Sequence, residues 1–191
     1  RREVLQEWMG LGYNNRAVHL HEAARMIVKF FGGDILAALD RQKLPGIGPY
    51  TAHAIRIFSR NAEIATVDTN IRRILLHEFG PLSGPELLEL AARCLPPGRS
   101  RDWHNGLMDY GALLLTSRKT GIRLATRQSS FQGSDRQLRA RIVRHLLAAG
   151  SSPASALRKI TPDRARLEKI LAGLEKDGLI RKQGRRYSLD R

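Results

Sequence analysis

The chain has 191 residues, 42% of them hydrophobic and 27% charged, and 33 Lys and Arg against 18 Asp and Glu leave a formal net charge of +15. That length supports one or two domains with real cores, and the composition excludes a disordered chain. No run of about 18 apolar residues is present to span a bilayer. Arg1-Arg2-Glu3-Val4 does not read as a secretory leader. The single cysteine, Cys94, excludes an internal disulfide framework, an all-cysteine zinc site and a thiolate-held iron–sulfur cluster. A reducing, cytoplasmic setting is expected, and the charge points to a polyanionic partner, nucleic acid before an anionic membrane surface.

Residues 1–133 carry 18 Lys/Arg and 12 Asp/Glu, a balance of +6, while residues 134–191 carry 15 and 6, a balance of +9. Both parts are cationic, and the second is far denser in charge. Taken in order, the first part reads as helical. His19 to Phe30 sets Leu20, Ala23, Ala24, Ile27 and Val28 on one stripe. Ile35 to Gln42 makes a short helix that Leu44-Pro45-Gly46 stops. Pro49 opens the next, which Thr51 to Ser59 continues with Ala52, Ile55 and Phe58 as its buried face. Further helices are predicted over Asn70–Glu78, ended by Gly80-Pro81, over Glu86–Cys94, ended by Pro96-Pro97, and over Trp103–Thr116. Thr126 to Ser134 is polar and ends in Gly-Ser, a linker. Beyond it Leu138, Ile142, Val143, Leu146 and Leu147 define a helix closed by Gly150, and Pro153–Ile160 fits a short one. Pro162 starts a third, with the stripe Leu167, Ile170, Leu171 and Leu174 and a stop at Gly178. Leu179–Lys182 and Arg186–Leu189 flank Gln183-Gly184-Arg185 as a basic hairpin. Three helices and a hairpin is the order of a winged helix-turn-helix, whose third helix and wing would turn Arg164, Arg166, Lys169, Lys176, Arg181, Lys182, Arg185 and Arg186 toward phosphates.

The sharpest local signal is Leu44-Pro-Gly-Ile-Gly-Pro-Tyr-Thr-Ala52. Gly46 and Gly48, set between two helices, allow a tight turn and leave amides uncovered. With Leu44 and Ile47 packing the turn and Thr51 at the start of the next helix, this reads as a helix-hairpin-helix, a sequence-independent phosphate clamp. About 20 residues on lies Val67-Asp68-Thr69-Asn70-Ile71-Arg72-Arg73. Read alone, Asp68 is an N-cap or a catalytic carboxylate.

Residues 4–116 resemble the helix-hairpin-helix DNA glycosylase superfamily, and most of all the MutY-type adenine glycosylases. Gly10-Leu-Gly-Tyr13 with Arg16-Ala17, Leu20-His-Glu-Ala-Ala24, Leu44-Pro-Gly-Ile-Gly48, Val67-Asp68-x-Asn70 and Met108-Asp-Tyr-Gly-Ala112 recur in family order and spacing. The resemblance implies a mainly α glycosylase domain over 1–125, incomplete at its N-terminus, which the residue pattern follows with a linker over 126–134 and a small α+β winged helix over 135–191. It implies that Asp68 is the catalytic aspartate, which stabilises an oxocarbenium-like sugar as the N-glycosidic bond breaks. Asn70 matches a side chain that orients this carboxylate. Tyr50 stands where bifunctional relatives such as endonuclease III carry a nucleophilic lysine, so no Schiff base and no strong strand-cleaving lyase is expected. Tyr13 matches the aromatic wedge that enters the duplex as a base is extruded. The DNA contacts expected run through Tyr13, Leu44, Gly46, Ile47, Gly48, Thr51, Arg72, Arg118 and Lys119 of the glycosylase-like part, and, from the winged-helix order of the tail, through Arg164, Arg166, Lys169, Arg185 and Arg186. Carbonyls of Leu44 and Gly46 are expected to hold a monovalent cation.

The chain also departs from the family pattern. Leu115 stands in the slot where iron–sulfur relatives place the first of four cysteines, and Leu115 to Phe131 contains none, so no cluster is expected. A winged helix replaces the domain that reads 8-oxoguanine, and relatives carry a Gln-Thr motif and a base-protonating glutamate ahead of Gly10-Leu-Gly-Tyr13. This implies a truncated chain or one completed by a further segment. The function expected is monofunctional excision of a flipped, mispaired base in double-stranded DNA by a nucleoid-associated monomer, with adenine opposite G or 8-oxoguanine first. The alternatives are a thymine/uracil mismatch glycosylase and a non-catalytic DNA-binding protein; an operator-reading regulator is disfavoured because residues 162–177 offer no Asn or Gln. His19 and His21, two apart on a helix, cannot share a metal ion, Cys94 reads as a buried small hydrophobe, Asp109 as a structural acid, and Trp8 and Trp103 as core.

Overall fold

The computed structural model describes residues 1–122 and 130–190. The chain is mostly helical, and its packing divides it into two compact units, Arg1–Ala38 with Gln128–Arg191, and Leu39–Arg127. Of the linker expected over 126–134, residues 126–129 lie outside the described residues. One domain over 1–125 is not the division that packing draws, because Arg1–Ala38 joins the C-terminal unit.

The C-terminal unit begins with α1 (Arg2–Glu7) and α2 (Asn15–Phe31), continues from the start of α3 (Ile35–Arg41), and resumes with α9 (Asp135–Ala149), β1 (Ser151–Pro153), α10 (Ala154–Leu157), α11 (Arg164–Lys176), β2 (Ile180–Gln183) and β3 (Arg186–Leu189). The strands form one antiparallel sheet in the order β1-β3-β2, with Tyr187 opposite both Ser152 and Lys182. Every apolar residue predicted for the stripes of α9 and α11 is buried, in one cluster with Leu157, Leu179, Ile180, Tyr187 and Leu189. Leu5, Ala17 and Val18 complete that cluster, which is why the first helices group with this module. Ser134 and Asp163 cap α9 and α11 by accepting from Gln137 N and Arg166 N. Arg1 fastens the N-terminus, donating to the Gly178 carbonyl (3.0 Å), Asp190 (3.0 Å) and Glu22 (2.8 Å).

Two details differ from the sequence reading here. The helix predicted over Pro153–Ile160 shortens to Ala154–Leu157, because Ser151–Pro153 pairs with β3 as a strand. In α2 the burial falls on Ala17, Val18, Ala23 and Ile27, leaving Leu20, Ala24 and Val28 exposed.

The other unit holds α4 (Pro49–Arg60), α5 (Thr69–Phe79), α6 (Gly84–Cys94), α7 (Ser100–Leu113) and α8 (Ser117–Thr120). Ile71, Leu75, Leu87 and Ala91 form its core, with Val67, Leu90, Trp103, Leu107 and Met108 packed around them. In α4 it is Ile57 that is fully buried, with Ala52, Ile55 and Phe58 only partly so. Cys94, at the exposed end of α6, is not the buried hydrophobe expected, and Asp109 lies on the exposed face of α7. No described helix is long and apolar enough to cross a membrane.

Candidate active site

From the end of α3 the chain turns into α4 through the hairpin. Leu44 is buried beneath the turn and accepts from Ile47 N at 3.2 Å. Gly46 sits at φ +69°, a left-handed conformation that a side chain would strain, and Gly48 is the N-cap of α4, with Pro49 following. No side chain caps α4, so the first-turn amides lack a side-chain acceptor. Gly46, Gly48 and Thr51 are exposed and Ile47 is half-buried. Arg56 of α4 pairs with Asp40 at the end of α3 and steadies the turn between them.

The approach to Asp68 is extended, and α7 holds it. His104 is fully buried; its Nε2 accepts from Thr66 N at 3.1 Å, so its Nδ1 carries the proton toward the Ser100 carbonyl, 2.7 Å away. Asp68 then caps α5: Oδ1 accepts from Ile71 N at 2.7 Å, and Oδ2 faces Asn70 Nδ2 at 3.4 Å. The carboxylate is therefore the N-cap of α5, at the N-terminal end of that helix, and it is half-buried.

Behind Asn70 stands Arg73, only 5% exposed. Its guanidinium donates to Asn70 Oδ1 at 2.7 Å, to the carbonyls of Gly111 and Leu115, and to Ser117 Oγ at 3.4 Å. Thus Arg73 fixes the Asn70 amide, which turns its NH₂ toward Asp68. The residue in the slot of the first cluster cysteine, Leu115, serves this network through its backbone oxygen. Gly111 lets α7 approach this closely, since a Cβ there would lie 2.8 Å from the Asn70 Cβ. Sequence reading named Asp68 and Asn70 and listed the neighbouring Arg72, half-buried on α5, as a DNA contact, without naming Arg73. The signal it passed over is the spacing of three between Asn70 and Arg73, which stacks them on one helix face.

Tyr50, in the first turn of α4, is 45% exposed. Burial, and then the negative charge of Asp68, push its phenol above the ordinary value of 10.0. The hydroxyl is thus a neutral group in the field of the Asp68 carboxylate. Arg118 and Lys119 are exposed in α8, which Thr116 caps.

The remaining candidates belong to the other unit. Tyr13 takes φ +49° and is exposed; its hydroxyl accepts from Arg136 Nη1 at 2.9 Å, and the Arg136 guanidinium lies 5.7 Å from its ring centre. Arg166 donates to Asp135 at 2.8 Å and to the Gly133 carbonyl at 2.6 Å, and Lys169 Nζ lies 3.8 Å from the same carboxylate. Arg186 donates to the Ser151 hydroxyl and carbonyl. Arg164 pairs with Glu168 on the surface of α11, and Arg185 is exposed on the wing.

No family model matches the chain. Curated proteins do. An adenine DNA glycosylase of Mycolicibacterium smegmatis is 31% identical over 204 residues, covering 93% of this chain and 70% of that protein. A human adenine DNA glycosylase is 33% identical over 126 residues, 61% of this chain but 23% of that protein. A thymine/uracil-DNA glycosylase of Methanothermobacter thermautotrophicus is 34% identical over 128 residues, 61% of this chain and 57% of that protein. The chain thus spans most of the mycobacterial relative and a smaller part of the other two. A relative 31% identical, matched over 93% of this chain and 70% of its own length, makes this chain a member of the MutY-like adenine DNA glycosylase family.

Proposed function

We propose that the protein is a monofunctional DNA glycosylase that hydrolyses the N-glycosidic bond of a base flipped from a mismatched duplex, adenine opposite G or 8-oxoguanine. The observation that carries the reading is the held carboxylate: Asp68, fixed by Ile71 N and faced by an Asn70 amide that Arg73 immobilises. As the bond between C1′ and the base nitrogen breaks, its electron pair leaves with the base and positive charge grows on the sugar. A preorganised anion lowers the energy of that state without reorganising. Water then adds to C1′, and in this reading the Asp68 carboxylate takes its proton. Tyr50 offers no amine, so strand cleavage through a Schiff base is not expected. The uncapped amides at the start of α4, with Gly46 and Gly48 exposed, suit a phosphate of the strand being worked on.

The hairpin also fits the monovalent cation. Carbonyls of Leu44 and Gly46 are hard, neutral oxygen donors on a turn, suited to such an ion, which would add positive charge beside the phosphate. The winged helix and Tyr13 remain proposed DNA contacts, with the duplex as partner. A thymine or uracil opposite G is the second reading, favoured by the likeness to a thymine/uracil-DNA glycosylase.

The test uses labelled duplexes bearing A·G, A·8-oxoguanine, T·G and U·G pairs, incubated with protein and then treated with alkali. Cleavage at the mispaired adenine is expected, and cleavage only at T or U selects the second reading. Asp68→Asn should keep duplex affinity and lose about 100-fold or more in single-turnover rate. Intact strands in every duplex would leave a DNA-binding protein without this chemistry.

A further inference from the structure

The C-terminal module is densely basic, and its cations differ in what they are bonded to. Arg166 and Lys169 share Asp135, Arg139 pairs with Asp177, and Arg186 is bonded to Ser151. These cations brace α9, α11 and the sheet. Four others converge on an open groove of about 510 Å³. Arg158 comes from the C-cap of α10, Arg164 from the first turn of α11, Lys182 from β2 and Arg185 from the wing turn. All four are exposed, on four separate segments of the module. The groove floor is apolar, with Leu167, Leu171 and Tyr187 buried beneath it. Lys182 Nζ lies 5.8 Å from the Tyr187 ring centre. Glu168 is the one acid in the lining, 2.8 Å from Arg164.

We propose that this groove is a second duplex-DNA site, in which Arg158, Arg164, Lys182 and Arg185 grip the sugar–phosphate backbone without reading its sequence. The proposal rests on the reading of the protein as one that works on DNA, and it differs from the sequence assignment. Arg158 joins the site, Lys182 stays in it, and Arg166, Lys169 and Arg186 hold the fold. Cations along the rim match the spaced charges of a phosphodiester chain, and an apolar floor suits the faces of deoxyribose. Residues 164–176 contain no Asn or Gln, so α11 has no side chain for bidentate recognition of adenine. Phosphate oxygens can replace the Glu168 carboxylate on Arg164, a fork geometry that guanidinium accepts equally well. Glu168 itself then opposes the bound strand.

The experiment measures affinity of the full chain for an undamaged duplex by fluorescence anisotropy across a salt series. It needs no base excision, so a protein that fails to excise still gives this reading, and the two ideas fail separately. Each of Arg158→Ala and Lys182→Ala should reduce the slope of log affinity against log salt by about 1, and the double variant by about 2. Arg158→Lys with Lys182→Arg should restore the slope. Arg166→Ala and Arg186→Ala should lower the melting temperature and leave the slope unchanged. Glu168→Gln, a surface change that keeps the helix, should tighten binding several-fold. An unchanged slope in the folded double variant, weaker or equal binding by Glu168→Gln, or a slope lost equally through Arg186 overturns the proposal. Anionic phospholipid vesicles that compete as well as duplex, charge for charge, overturn it too.

Discussion

One oxygen of Asp68 is held by a backbone amide, and the other faces an amide nitrogen whose orientation depends on a buried guanidinium. Arg73 is therefore a positioning residue: it touches Asn70 and three acceptors from the segment 111–117, and acts on the carboxylate through Asn70. Arg73→Gln leaves those acceptors short of donors and lets the Asn70 amide turn. The expected result is a loss of about 1–3 kcal/mol in stability, and a fall in the single-turnover rate with duplex affinity retained. Rate and affinity falling together would instead mean that Arg73 contacts DNA. Tyr50 offers a second residue-scale check. Because Asp68 contributes to raising its phenol, Asp68→Asn should lower that titration part of the way toward 10.0, with burial sustaining the remainder. The sign follows from the charge: an anion nearby disfavours phenolate, and its removal releases it. Spectrophotometric titration of the tyrosines, wild type against Asp68→Asn and each against Tyr50→Phe, reads the shift directly.

At the scale of elements, the site depends on how closely α7 lies against α5. Gly111 makes that approach possible, and a methyl group there meets the Asn70 Cβ at 2.8 Å and its Cα and carbonyl oxygen at 3.2 Å. Backbone cannot move aside as the end of a flexible side chain can. Gly111→Ala should cost about 1–3 kcal/mol, as overpacking does, and it should slow excision beyond what lost stability explains. Thermal melts and single-turnover rates measure the two effects. An alanine variant with wild-type rate and melting temperature would show that the contact is slack. The sequence revealed most of these helices, because caps, prolines and apolar spacing act locally: α9 and α11 carry their buried stripes where the period of 3.6 puts them. It did not reveal β1, since Ser151-Ser152-Pro153 has no apolar alternation and its partner lies more than 30 residues away. Nor did it reveal which cations are braces, because Arg166 meets Asp135 and Arg139 meets Asp177 only once the chain has folded. Asp68 and the hairpin were legible because glycines in a tight turn and an acid before a helix leave local marks. The hold on Asn70 was legible only in the spacing of Asn70 and Arg73, because the carbonyls of Gly111 and Leu115 that anchor Arg73 come from a distant segment.

For the whole molecule, the two units are separate bodies of packing, and the first residues of the chain belong with the last. Leu5 is 1% exposed and lies in the same cluster as Ile142, Leu146, Leu171 and Leu174. Leu5→Ala removes a buried side chain from that cluster and should cost about 2–5 kcal/mol. The loss should appear in one unit alone. Hydrogen exchange of the variant should show faster exchange through α1, α2, α9 and α11, while α5 and α7 retain their protection. Units with their own cores open with their own free energies, and Ile71, Leu75, Leu87 and Ala91 share no cluster with Leu5. Excision from a short duplex that engages only the hairpin should then survive at temperatures where the winged module has opened. Equal loss of protection in α5 and α7 would mean that the chain unfolds as one cooperative body, and that the module carrying the basic groove also sustains the unit carrying Asp68.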